Sequence, residues 1–256
     1  MITSTQNAKL KLVRSLMSRP KERHEAQAFV AEGVRLVEEA LAADWPIRFV
    51  LCSTGLNERG RALIKKAEAK NIEVEQVSDT LLNSISETEN SQGILAILNS
   101  SQLPIPNSPD FILIADQIRD PGNLGTLLRT AAAAGVQAAL LPPETTDPFA
   151  PKVLRAGMGA HFRLPIHYLT WEEIRAATKS LEVYLADMQG SPCWQADFRP
   201  PLAIIVGGEA EGATEEARRL AEMAVSIPMP GKAESLNAGV AGAILMYEVV
   251  RQRKLN

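Results

Sequence analysis

Asn123 and Arg129 stand close together in the segment DQIRDPGNLGTLLR (116–129), directly after the apolar run FILIA. A guanidinium at that place can hold an anion such as a phosphate, while its firmly held proton makes it a poor proton acceptor. Pro121 and Gly122 bend the loop, and Asn123 is placed to cap a helix that carries Arg129 about a turn and a half in. The competing reading is a capped helix whose Arg129 pairs with an acid such as Asp120. A second segment, VGGEAEG (206–212), follows LAII; Gly207 and Gly208 let backbone amides approach a ligand, and Glu209 supplies a carboxylate. Its glycines do not fall at G-x-G-x-x-G positions and it has no terminal Gly-Lys-Ser/Thr, which disfavours dinucleotide and nucleoside triphosphate binding. The third segment, IPMPGKAESLN (227–237), has two prolines and a glycine that impose an irregular loop, with Ser235 or Asn237 able to cap the helix that follows. Irregular backbone exposes amides and carbonyls that can read the edge of an adenine-like base, although helix capping alone explains the same residue types.

The elements that must hold these loops follow from hydrophobic periodicity. FILIAD, AALLP, VYLAD, LAIIVG and AVSIP are apolar runs with little alternation, separated by helix-like stretches such as NLGTLLRTAAAAG, TWEEIRAATKS and TEEARRLAEM. This predicts a parallel sheet covered by helices on both faces over residues 111–256, with ligand-binding loops at the carboxyl ends of the strands. The Ala-rich stretch from Ser235 to about Arg253 is apolar on much of its circumference, so a partner subunit is expected to cover part of it. Residues 1–98 read as a smaller α/β unit, and the proline-rich NSSQLPIPNSPD (99–110) as a linker.

Composition excludes several classes. Over 256 residues, 46% are hydrophobic and 22% charged, which suits a globular chain and excludes disorder. No apolar run approaches the ~20 residues needed to span a bilayer, and the N-terminus lacks a signal-peptide core, so the expected location is the cytoplasm. Cys52 and Cys193 are distant from each other, and His24, His161 and His167 are isolated; no metal site is expected.

DQIRDPGNLGTLLRTAAAAG, IVGGEAEGA and SIPMPGKAESLNAGVAGAILMYE, in this order, closely resemble the three motifs of the SpoU (TrmH) family of SPOUT RNA ribose methyltransferases. FVAEGVRLVEEAL with the strand after it resembles the start of the RNA substrate-binding domain that many members carry in front. The resemblance implies an α/β fold with a deep trefoil knot in the C-terminal domain, and a homodimer formed through that domain. It also implies S-adenosylmethionine bound against Gly207, Ile227 and Leu236, with Gly208, Met229 and Asn237 close by. The implied reaction is methyl transfer to a ribose 2′-hydroxyl. Arg129 matches the catalytic arginine, while Asn123, Glu209, Ser235 and Asn237 match positions that orient it, the ribose and the loops. The front domain makes ribosomal RNA the first choice of substrate and transfer RNA the second. A non-catalytic RNA-binding module with a vestigial pocket, and base methylation, are the competing readings. Ala132 and Gly157 depart from residues frequent in the family, which bears on substrate detail and not on the reaction.

The formal net charge of −3 supplies no general attraction for RNA. Residues 1–24, however, carry Lys9, Lys11, Arg14, Arg19, Lys21 and Arg23 against Glu22 alone, with Leu10, Val13, Leu16 and Met17 at helical spacing. RNA contact is therefore expected from placement, with Lys9, Lys11, Arg14 and Arg129 as the leading groups, although a solvated helix face would show the same pattern.

Overall fold

In the computed structural model, which describes residues 1–256 except 89–90, 209–211, 232–233 and 255–256, the chain divides into two units. The first comprises Met1–Ser101 together with Phe149–Phe162, and the second Gln102–Pro148 with Arg163–Asn256.

The first unit opens with α1 (Ala8–Ser18), begun by the Asn7 side chain accepting from the Lys9 amide. Its stripe Leu10, Val13, Leu16 and Met17 is buried, as the spacing predicts, against Val30, Leu51, Leu95 and Ile97 of a sheet. That sheet has four strands, β1 (Ala28–Glu32), β2 (Ile47–Cys52), β3 (Glu73–Gln76) and β4 (Ile94–Asn99), in the order β1-β4-β2-β3. β4 runs antiparallel to both neighbours, and β2 and β3 are parallel. Four more helices complete the contiguous part: α2 (Pro20–Ala26), α3 (Val34–Ala42), α4 (Glu58–Ala69) and α5 (Asp79–Asn83). FVAEGVRLVEEAL is β1 turning into α3 at Gly33, whose φ of +97° only glycine adopts without strain.

Residues 100–110 form neither helix nor strand. The second unit then builds six strands, all paired in parallel: β5 (Phe111–Asp116), β6 (Ala138–Leu141), β7 (Ile166–Tyr168), β8 (Glu182–Pro192), β9 (Leu202–Gly207) and β10 (Met223–Ser226). Five are the expected apolar runs. β7 has only three residues at the sheet edge, too short to leave a pattern. The order β10-β8-β9-β5-β6-β7 reverses direction of growth beside β5, so β5 and β9 meet at a switch point. The helices of this unit are α6 (Pro121–Ala134), α8 (Trp171–Ala177), α9 (Glu215–Leu220) and α10 (Ala238–Lys254). The remaining helix, α7 (Pro151–Gly157), lies in the excursion that belongs to the first unit. There Phe149 and Phe162 pack on Phe29, with ring centroids 4.7 and 6.4 Å away, and Trp45 meets Phe162 at 5.3 Å. A single cut at the proline-rich segment therefore does not reproduce this division: residues 149–162 complete an aromatic cluster begun more than a hundred residues earlier.

Candidate active site

β5 delivers its C-terminal residue, Asp116, next to Gly207, the last residue of β9. The loop after β5 leads to α6, whose N-cap is Asp120: its carboxylate accepts from the Asn123 amide at 2.8 Å, and Pro121 follows at the first helical position. Asn123 was expected at the cap. It lies inside the helix instead, because Pro121 has no amide proton to lose and a fixed φ suited to a helix start, and Asp120 precedes it. Arg129 is consequently nine residues past the cap, about two and a half turns, and it is exposed. Among the described residues it has no hydrogen-bond or ion-pair partner, so the pairing with Asp120 is not formed.

Freed from capping, the Asn123 side chain accepts through Oδ1 from Asn237 Nδ2 at 2.8 Å, tying the first segment to the third. Asn237 has a second task. Its Oδ1 accepts from the Val240 amide at 3.2 Å, making it the cap of α10, while Ser235 lies in the preceding loop. α10 packs on α6 so closely that a Cβ on Gly242 would stand 2.3 Å from a methyl of Leu127.

The glycine segment is held from beneath. A Cβ on Gly208 would be 2.6 Å from the Gln117 carbonyl oxygen, and one on Gly207 would be 2.7 Å from the Ala213 amide nitrogen. The first two loops thus touch backbone to backbone, and only glycine permits it. Gly208 and Gly212 bridge across the turn; Glu209 itself lies outside the described residues. Asp116, wholly buried, accepts from the Thr214 amide through Oδ2 at 2.7 Å, while its Oδ1 has no partner among the described residues. Burial pushes its carboxyl pKa up, against the lowering effect of Thr214.

The second and third segments enclose a cavity of about 850 Å³, within the ~300–1,000 Å³ usual for cofactor sites. Gly207, Gly208, Ile227, Met229, Ser235, Leu236 and Asn237, all singled out in the sequence, line it together. Asn123 and Arg129 are not in the lining; Asn123 reaches it through Asn237. The periodicity did not point to the middle of β8, where Asp187, Met188 and Gln189 join the wall, nor to Arg218 of α9. The only sequence signal of the first three is their position directly after the apolar run VYLA, and Arg218 has none.

The basic end segment is elsewhere, in the first unit. Lys9 pairs with Glu73 (2.6 Å) and with Glu75, and sits 4.9 Å from the Phe49 ring centroid. Arg14 donates to the Thr5 carbonyl, buried Arg23 donates to the Leu16 carbonyl, and Lys11 is exposed. Cys52 and Cys193 are buried free thiols whose pKa burial raises. His167 Nε2 meets the Leu103 carbonyl at 2.7 Å, His161 is buried and His24 exposed. Among the described residues, no cluster of His, Cys, Asp or Glu has a metal-holding arrangement, and no helix is long and apolar enough to cross a membrane.

Residues 110–247 match the model of the SpoU rRNA Methylase family. The chain belongs to the SpoU rRNA methylase family. In front of that SpoU domain, residues 7–96 match the MRM3-like substrate binding domain. The 23S rRNA (guanosine(2553)-2′-O)-methyltransferase RlmP of Bacillus subtilis is 32% identical, over 97% of this chain and 98% of its own. Among solved structures, the AdoMet-bound rRNA methyltransferase of Sinorhizobium meliloti has a TM-score of 0.87 at 31% identity, covering 98% of this chain and 97% of its own. The SpoU methyltransferase AviRb of Streptomyces viridochromogenes, in complex with AdoMet, has 0.86 at 28%, covering 98% and 100%. The two solved structures match this chain across nearly its whole length, in accord with the α/β fold expected from the sequence, and the match over residues 7–96 accords with the expected front domain.

Proposed function

We propose that this chain is an S-adenosylmethionine-dependent methyltransferase acting on a ribose 2′-hydroxyl of ribosomal RNA. The observation that carries the reading is the Asn237–Asn123 hydrogen bond, which fastens the helix bearing Arg129 to the rim of the cavity. The cavity suits the cofactor on its own evidence: an adenosine-sized volume, apolar walls from Val206, Ile227 and Leu245, and an irregular proline-bounded loop with backbone groups for a base edge. The names of the relatives, 23S rRNA 2′-O-methyltransferases among them, and their AdoMet complexes support it further.

When bound, the cofactor supplies an electrophilic methyl on a sulfonium sulfur. The chain's own residues supply position and charge. Gly207 and Gly208 admit the ligand against the backbone, and Ile227, Met229 and Leu236 give it an apolar bed. Arg129, exposed and unengaged, holds a phosphate beside the target ribose and stabilises alkoxide charge as the hydroxyl proton leaves. A guanidinium is a poor proton acceptor, which favours that role over proton abstraction. Asn123 and Asn237 set the helix that carries it, and Ser235 and Glu209 belong to the same two loops. No metal enters this scheme.

RNA contact falls to Lys11, Arg14 and Arg129, with Lys9 the weakest of the expected group because Glu73 and Glu75 neutralise it. Residues 1–98, completed by the 149–162 excursion, serve as the substrate-binding domain and the rest of 111–256 as the catalytic one, with 99–110 between them. A trefoil knot, a cytoplasmic location and a homodimer complete the reading. The dimer is supported by Val240 and Tyr247, seven residues apart on α10 and 46% and 51% exposed. Incubating the purified protein with methyl-labelled cofactor and ribosomal RNA, then digesting the RNA to nucleosides, tests the reading. Label on ribose supports it; label on a base, or none, overturns it.

A further inference from the structure

The cavity has a charged end that the three motifs do not explain. Among the described lining residues only Asp187, midway along β8 just past its pairing with β9, and Arg218, in α9, carry charge. Arg218 Nη1 donates to Asp187 Oδ2 at 2.6 Å, and Oδ1 of the same carboxylate accepts from the Gln189 amide at 2.9 Å. The Gln189 amide, and Arg218 beside it, hold the carboxyl below the usual carboxylate range. Among the described residues only one of its five guanidinium N–H groups is engaged, the Arg218 side chain is 47% exposed, and its Nη2 lies alongside Gly212 of the glycine segment. An ion pair this exposed contributes little as a strut. Its position in a wall whose other described residues are uncharged is what needs a reason.

S-adenosylmethionine has one end that matches an opposed pair of charges, the zwitterionic amino-acid end. We propose that Asp187 and Arg218 form the subsite for that end, Arg218 taking the carboxylate and Asp187 the ammonium group. A guanidinium meets a carboxylate through two parallel hydrogen bonds, which fixes orientation as well as affinity. The pairing leaves the adenine for the apolar, proline-bounded side of the cavity. This inference rests on the cofactor reading above and adds the direction in which the ligand lies.

Calorimetric titration of the full chain with two probes tests it: S-adenosylhomocysteine, which has the amino-acid end, and 5′-methylthioadenosine, which lacks it. The wild type is expected to bind the first more tightly. Arg218→Ala is expected to weaken S-adenosylhomocysteine about tenfold or more while leaving 5′-methylthioadenosine within about twofold. Asp187→Asn, which keeps the shape, is expected to weaken only S-adenosylhomocysteine as well. Retained 5′-methylthioadenosine binding shows that each variant is folded around an intact cavity. Equal wild-type affinities for the two probes, or equal losses for both in Arg218→Ala, overturn the subsite and leave the cofactor reading standing. A wild type that binds neither probe overturns the cofactor reading itself.

Discussion

Two single residues carry sharply different electrostatic tasks. Arg129 projects from α6 with no partner among the described residues, so its removal disturbs no internal contact. Arg129→Ala is expected to lower methyl transfer by about 10²–10³-fold, the usual loss for one group stabilising developing charge. Titration with S-adenosylhomocysteine should meanwhile give an unchanged affinity, because Arg129 does not line the cavity. Arg129→Lys should not restore the rate, since an ammonium lacks the planar fork that grips a phosphate. Asp116 is the opposite case, a wholly buried carboxylate with one oxygen unpartnered among the described residues. Its raised folded-state pKa means that its contribution to stability is full at low pH and is lost as pH rises through that value. Asp116→Asn keeps an acceptor for Thr214 and removes the titration. The melting temperature of the variant minus that of the wild type should therefore be more positive at pH 8 than at pH 5. A difference that does not vary with pH would contradict this account.

At the scale of elements, the cavity depends on how β10 lies against β8. Their register shifts between Ala224 and Val225, and a Cβ on Gly190 would stand 2.4 Å from the Ala224 carbonyl carbon and 2.5 Å from the Val225 nitrogen. Those are backbone atoms and cannot turn aside. Gly190→Ala is expected to cost about 1–3 kcal/mol in urea unfolding, the range for forced overpacking. Val225, Ser226 and Ile227 all line the cavity, so the same variant should weaken S-adenosylhomocysteine measurably. Wild-type stability would show that β10 shifts without penalty. Helix starts were partly legible at this scale. A Pro after an Asp or Asn is a strong signal, yet for α6 the residue before Pro121 is the cap, and Asn123 was thereby released to bond Asn237.

For the whole molecule, the exposed Val240 and Tyr247 on α10 are where a second copy would bury apolar surface. Sedimentation of the wild type is expected to give a dimer, and Val240→Asp with Tyr247→Asp a monomer. A monomeric wild type would remove α10 as a subunit interface. The domain division is also a whole-molecule property. The chain leaves the second unit at Phe149 and returns at Arg163, because Phe149 and Phe162 pack on Phe29. Nothing local in FAPKVLRAGMGAHF announces that destination.

By itself, the sequence determined what is periodic or contiguous. Unbroken apolar runs marked five of the six parallel strands, the stripe Leu10, Val13, Leu16 and Met17 marked α1, and the second and third motifs marked seven residues of one cavity wall. These are readable because burial imposes a period on neighbouring residues, and because close backbone approach demands glycine at particular places. The tertiary structure alone decided the pairings between distant residues: Lys9 with Glu73 and Glu75, Asp116 with Thr214, Asn123 with Asn237, and Asp187 with Arg218. A charge or an amide carries no mark of its partner in its own neighbourhood. Whether it serves an ion pair, a cap or a ligand depends on which strand ends the sheet order brings side by side.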